Sequence, residues 1–350
     1  MAEKLESRNC GHLPGGETVD AFVLEGAGGV ALEAITLGGI VTRLLVPDQR
    51  GNRADVVLGF ADLAGYLRPH PYFGAIAGRV AGRISGSRFT IDGQTHSLSC
   101  NEPPNHLHGG ARGFDKRLWS AQPVARADGA PSLRLSRISP NGEEGYPGNL
   151  RVSVTYAITA RNEFIIDSEA TTDRPTPISL THHSYFNLSG EGSSSVAHHK
   201  LQIMASRYAP TDSAFAFIGR RDAVDGNDFR AARRMSDAIP HLYGQHGDLY
   251  FIDRPAPSPA TLVDAAQLID PSSGRVMTVR TTEACIQLYT GTGLDGSIVG
   301  KSGRPYGPFA GMCLECEGFP DGANRPDLGN VILRPGGVFR QTTVYAFSTL

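Results

Sequence analysis

Apolar and polar residues alternate with a period of two along short runs that glycine and proline separate. Residues 151–159 read Arg-Val-Ser-Val-Thr-Tyr-Ala-Ile-Thr, polar on one side and apolar on the other, the pattern of a half-buried strand. Residues 163–167, 284–289 and 342–347 follow the same rule. Residues 89–96 set Asp92 and Gly93 between two short strands; both tolerate positive φ, so they predict a two-residue hairpin turn. The best helical candidate is residues 228–239, enough for one or two turns, inside an irregular stretch over residues 222–247. Many short strands with frequent turn residues predict an all-β sandwich or barrel rather than a parallel α/β sheet. No internal repeat or low-complexity linker divides the sequence, so residues 1–350 are expected to form one domain, with residues 1–18 as a flexible N-terminal extension.

Charge narrows the class of ligand. Lys and Arg number 33 against 35 Asp and Glu, so neither nucleic acid nor an anionic membrane surface finds an electrostatic footprint. No run approaches the roughly 18 apolar residues of a membrane span. Residues 1–13 lack the apolar stretch of a signal peptide. The five cysteines (Cys10, Cys100, Cys285, Cys313 and Cys316) are odd in number and scattered, which suits reduced thiols and a cytoplasmic protein. The expected partner is a neutral small molecule.

Four segments concentrate reactive groups. Residues 78–84 set Arg79 and Arg83 four apart among small residues, which suits close backbone packing around a guanidinium; a solvated loop fits equally well. In residues 105–110, Asn-His-Leu-His-Gly-Gly, His106 and His108 would share one face of a strand, as a metal pair would. The carboxylate such a site needs about four residues on is missing, since Ala111, Arg112 and Gly113 follow, so no metal is expected. Residues 177–187 carry adjacent His182 and His183, which face opposite sides of a strand, so at most one serves a common site. Histidine carries protons near neutral pH, although a lone one in a core strand is more often structural. In residues 311–321 an apolar run buries Glu315, an expensive position unless something uses or pairs the carboxylate, and Glu317 shares its face. Cys313 and Cys316 face opposite ways and make a poor zinc or redox pair. Neither a Walker-type loop nor a Gly-x-Ser-x-Gly elbow occurs, and Gly26-Ala-Gly-Gly29 misses the dinucleotide fingerprint, so no cofactor is expected.

In order along nearly the whole chain, these segments resemble the aldose 1-epimerase (galactose mutarotase) family. The landmarks are Val46-Pro-Asp48, Asp55 to Phe60, Pro71-Tyr-Phe-Gly74, Gly78-Arg79 with Arg83, and Asn105 to Gly110 running into Arg112-Gly-Phe-Asp115. Ser139 to Gly148, Thr181 to Leu188, Leu314-Glu315, Phe319-Pro-Asp321 and Leu333-Arg-Pro-Gly336 complete them. The resemblance implies a large antiparallel β-sandwich with a sugar cleft on one sheet. It also implies a cofactor-free exchange of α and β anomers of a free monosaccharide such as galactose or glucose, by a monomer or homodimer. The family's base falls on Glu315 and its acid on His183; its sugar-binding positions fall on Arg83, His108, Asp248 and Gln287.

Four departures from the family pattern surround these positions. Gly82 stands where asparagine is usual, His182 where asparagine is common and Glu317 where glutamine is usual, while Leu249 and Tyr250 break the motif around Asp248. Two other readings use the same residues. A glycoside hydrolase would pair Glu315 with Asp248 or Glu317 across a glycosidic bond, and a non-catalytic sugar-binding protein would use the cleft without turnover.

Overall fold

A computed structural model describes residues 4–242, 247–254 and 261–350, and the alternating runs are strands in it. The run at 151 becomes Leu150–Ile158, with Leu150, Val152, Val154 and Tyr156 buried and Arg151 exposed between the first two. It joins a nine-stranded antiparallel sheet in the order Ser120–Pro123, Ser132–Ser139, Leu150–Ile158, Glu163–Thr172, Phe339–Thr349, Arg275–Thr281, Val263–Ile269, Lys200–Ile203 and Arg233–Arg234. Two five-stranded sheets pack on it. One holds Lys4–His12, Thr18–Glu25, Ala31–Ile35, Val41–Pro47 and Arg53–Asp55; the other holds Asp222–Ala223, Arg207–Ala209, Asp248–Phe251, Cys285–Tyr289 and Cys313–Glu317. A single apolar core joins all three, with Leu24 and Leu44 from the first small sheet, Ile286 and Leu314 from the second, and Val154 and Val279 from the large one. The fold is the expected large antiparallel β-sandwich.

The hairpin lies where the sequence predicts, with Arg88–Ile91 paired to Gln94–Ser97 and positive φ at Asp92 (51°) and Gly93 (80°). The helical candidate over residues 228–239 is realised as the single turn Met235–Ala238, within the one or two turns expected, because Arg233–Arg234 is drawn off into a ladder with Lys200 and Leu201. One expectation fails. Residues 4–12 are no flexible extension: Lys4–His12 pairs along its length with Thr18–Glu25, and Arg8 Nη2 donates to Glu33 Oε2 at 2.8 Å. Backbone bonds hold this mostly exposed edge strand, so no apolar alternation announces it.

Around the cleft, loops are tied down by Arg79, whose guanidinium is buried without a carboxylate partner in hydrogen-bond contact. Nε donates to Ser139 Oγ at 2.8 Å, Nη1 to Pro147 O and Thr176 Oγ1, and Nη2 to the carbonyls of Ser139, Pro140 and Gly148. Burial lowers its pKa to about 10, which leaves it charged at neutral pH. This is the close backbone packing that the small residues of the segment suggest. Arg79→Met strands those carbonyls and is expected to cost about 3 kcal/mol or more, read as a fall in the urea midpoint; an unchanged midpoint would refute this role.

Candidate active site

Two neighbouring strands, Cys285–Tyr289 and Cys313–Glu317, build the floor of a cleft, with Asp248–Phe251 paired beside them. Pairing aligns Leu249 with Gln287 and Gln287 with Glu315. Alternation sends Ile286, Leu288, Leu314 and Cys316 into the core, while Gln287, Tyr289, Glu315 and Glu317 line a cavity of about 240 Å³. Loops wall it with Pro71, Tyr72, Gly82, Arg83, Glu102, His108, His183, Tyr185, Phe217 and Pro320. Its volume lies below the roughly 300–1,000 Å³ of drug-sized sites, so its occupant is small.

His183 and Glu315 oppose each other in this cavity, with Nε2 3.6 Å from Oε2. That exceeds a hydrogen bond and leaves the two groups facing without being joined. The imidazole lies between Tyr72, at 5.6 Å and 28°, and Tyr185, at 5.2 Å and 30°, and its Nδ1 is 3.5 Å from Cys313 Sγ. Burial pushes His183 down to about 4 and Glu315 well above the ordinary carboxyl range. The imidazole is therefore neutral and the carboxyl holds the proton.

His108 sits at φ +50°, beyond the two-residue strand His106–Leu107, so it does not share a strand face with His106. His106 is consumed structurally: Nδ1 contacts Ser99 O at 2.7 Å and Nε2 contacts Tyr146 Oη at 2.7 Å. The Gly82 N–H donates to His108 Nδ1 at 3.1 Å, and burial keeps this imidazole neutral, so Nε2 carries the proton. Ligand atoms of His108, His183 and Glu315 lie within 4.8 Å of one another. A metal on His108 Nε2 would need the proton moved to Nδ1, against the Gly82 amide, so the set fits a proton-handling site better than a metal.

Arg83 lines the cavity, with Nε and Nη2 on Glu102 at 2.5 and 2.7 Å. Asp248 is placed apart from the other candidates. It does not line the cavity: strand alternation sets Leu249 beside Gln287, and the Asp248 carboxylate accepts from Asn227 Nδ2 at 3.2 Å. His182 faces away as expected, between Phe164 and Tyr156, and bonds Ser184 Oγ at 2.8 Å. Glu102, Tyr72 and Tyr185 escaped the sequence reading. Tyr72 and Tyr185 lie inside quoted landmarks, whereas nothing local marks Glu102 as the partner of Arg83. Gly82 has φ +70°, and a Cβ there would fall 2.5 Å from Pro320 Cγ, so a side chain at this position meets both strain and a clash.

A model of the family described as aldose 1-epimerase matches residues 20–346. The galactose mutarotase of Rattus norvegicus is 41% identical over 339 residues, 97% of either chain. The aldose 1-epimerase of Escherichia coli (strain K12) is 33% identical over 343 residues, 95% of this chain and 96% of that one. Among solved structures, the aldose epimerase homologue from C. elegans superposes with a TM-score of 0.84 at 27% identity, covering 100% of both chains. The galactose 1-epimerase of Lactobacillus acidophilus NCFM, at 23% identity and a TM-score of 0.85 over 99% of both, shares the fold. A match that spans the sandwich and both sides of the cleft, with relatives this similar over nearly their whole length, makes the chain a member of the aldose 1-epimerase family.

Proposed function

We propose that this protein interconverts the α and β anomers of free aldoses such as galactose and glucose by opening and reclosing the hemiacetal ring. The observation that carries the reading is His183 Nε2 facing Glu315 Oε2 across 3.6 Å inside a small cavity. Ring opening removes a proton from O1 and adds one to O5, so it needs a base and an acid that reach adjacent oxygens. Glu315 takes the O1 proton and His183 donates to O5.

The resting protonation suits this pair. Glu315 holds the proton at rest, and moving it to His183 creates carboxylate and imidazolium with no change in total charge. A carboxylate with a raised pKa is a strong base, and an imidazolium with a lowered pKa is a strong acid. Rotation about C1–C2 then presents the other carbonyl face, and closure returns both protons. His108 through Nε2–H, Arg83 through Nη1, and Gln287 hold sugar hydroxyls and confine the open chain.

No described helix is long and apolar enough to cross a membrane. The reading takes residues 1–350 as one domain, acting as a monomer or homodimer on a monosaccharide, without nucleic-acid or membrane partners. A cytoplasmic location suits the five cysteines, all free thiols.

Glu315→Gln and His183→Asn are each expected to lower kcat for galactose anomer exchange by roughly 10²–10⁴-fold. NMR exchange spectroscopy measures this after subtraction of the spontaneous rate; wild-type exchange in either variant would sink the assignment. The active pair carries one proton in total. It is lost as pH rises through the raised Glu315 value, and a second is gained only below about 4, through the lowered His183 value. kcat/KM should therefore be flat through neutrality and fall on the alkaline side; an alkaline limb absent from wild type up to roughly pH 9 would contradict this. A hydrolase using the same carboxyls would release nitrophenol from nitrophenyl galactoside, and none is expected.

A further inference from the structure

One polar group in the cleft has no task in the reaction above. Glu317 lies one same-face step beyond Glu315, roughly 7 Å along the strand. It is 1% exposed and lines the cavity near Gly82, Phe217 and Pro320. Its Oε2 is buried without a hydrogen-bond partner. A Cβ at Gly82 would stand 3.3 Å from Glu317 Oε1, but the positive φ and Pro320 disfavour any side chain there. No side chain at position 82 therefore reaches across to occupy the carboxyl.

We propose that Glu317 is a specificity-determining residue which, as an uncharged carboxylic acid, donates its O–H to one hydroxyl of the bound sugar. The inference rests on the sugar-binding reading of this cleft. An orphaned polar atom in a buried wall is costly, and a sugar oxygen that accepts its hydrogen bond removes that cost only when bound. The surroundings favour the uncharged form. Burial raises the Glu317 pKa; Glu315 on the same strand and Glu283, two residues before Cys285, raise it further, while Arg83 opposes them from the wall. Cys285, paired with Glu317 on the adjacent strand, is itself pushed up by burial and stays a thiol. Arg83 is already engaged by Glu102, so it offers Glu317 only part of its charge.

The test compares galactose with its monodeoxy analogues, by calorimetric Kd and by exchange KM, in wild type, Glu317→Ala and Glu317→Gln. Glu317→Ala should weaken galactose on the order of tenfold, with kcat changed far less. One monodeoxy sugar should bind wild type and Glu317→Ala alike, which identifies the hydroxyl that Glu317 touches. Glu317→Gln keeps the shape and a donor and should stay within about twofold of wild type. Unchanged galactose affinity in Glu317→Ala, or an equal penalty for every deoxy sugar, would overturn the proposal. Damage by Glu317→Gln as large as by Glu317→Ala would overturn the uncharged form. If wild type binds sugar without exchanging anomers, the catalytic reading fails while the Kd series still decides this one. If it binds none of these sugars, both fall.

Discussion

Taking a carboxyl group out of water is the constraint around which this molecule is arranged. The strand Cys313–Glu317 turns Leu314 and Cys316 into the sandwich core and Glu315 and Glu317 to its other face, where loops cover both. An ionised carboxylate there would cost several kcal/mol without a close cation. Arg83 is bound to Glu102 instead, so the acids keep their protons. The same burial strips the charge from His108 and His183. Apart from the Arg83–Glu102 ion pair in its wall, the cleft presents neutral proton donors and acceptors, to which a neutral polyol is complementary.

Holding such groups in place falls to the backbone. Gly82 fixes the tautomer of His108 through its N–H, and its lack of a side chain lets Pro320 close in. Tyr72 and Tyr185 sandwich the His183 ring, which keeps Nε2 directed at Glu315. Arg79 gathers the carbonyls of Ser139, Pro140, Pro147 and Gly148 on one cation, so loops distant in sequence meet in one arrangement. Precision at the site thus derives from hydrogen bonds that the substrate never touches.

Where residues misled, long-range pairing had overruled local pattern. A helical reading of residues 228–239 lost Arg233 and Arg234 to a strand partner more than thirty residues upstream. The polar strand Lys4–His12 earns its place through ladder bonds, which leave no trace in hydropathy. His106 and His108, two apart, looked like neighbours on a strand until the left-handed turn at His108 separated them. Asp248 matched a motif by position, but register with Cys285–Tyr289 sets Leu249 beside Gln287, and Asp248 lies outside the cavity lining.

What the sequence by itself determined is whatever depends on periodicity and on side-chain chemistry. That covers the all-β class, the hairpin at Asp92-Gly93, the opposite faces of His182 and His183, and the carboxylate buried in an apolar strand. Each follows from the two-residue repeat of a strand, from the tolerance of Asp and Gly for positive φ, or from the cost of desolvation, and all three act within a few residues. Tertiary structure alone decided the separation of His183 from Glu315, the union of Arg83 with Glu102, the tautomer of His108 and the placement of Asp248 opposite Leu288. Those are contacts between residues from 19 to more than a hundred positions apart. Their geometry comes from how three sheets share one core, and no local window of the chain contains that information.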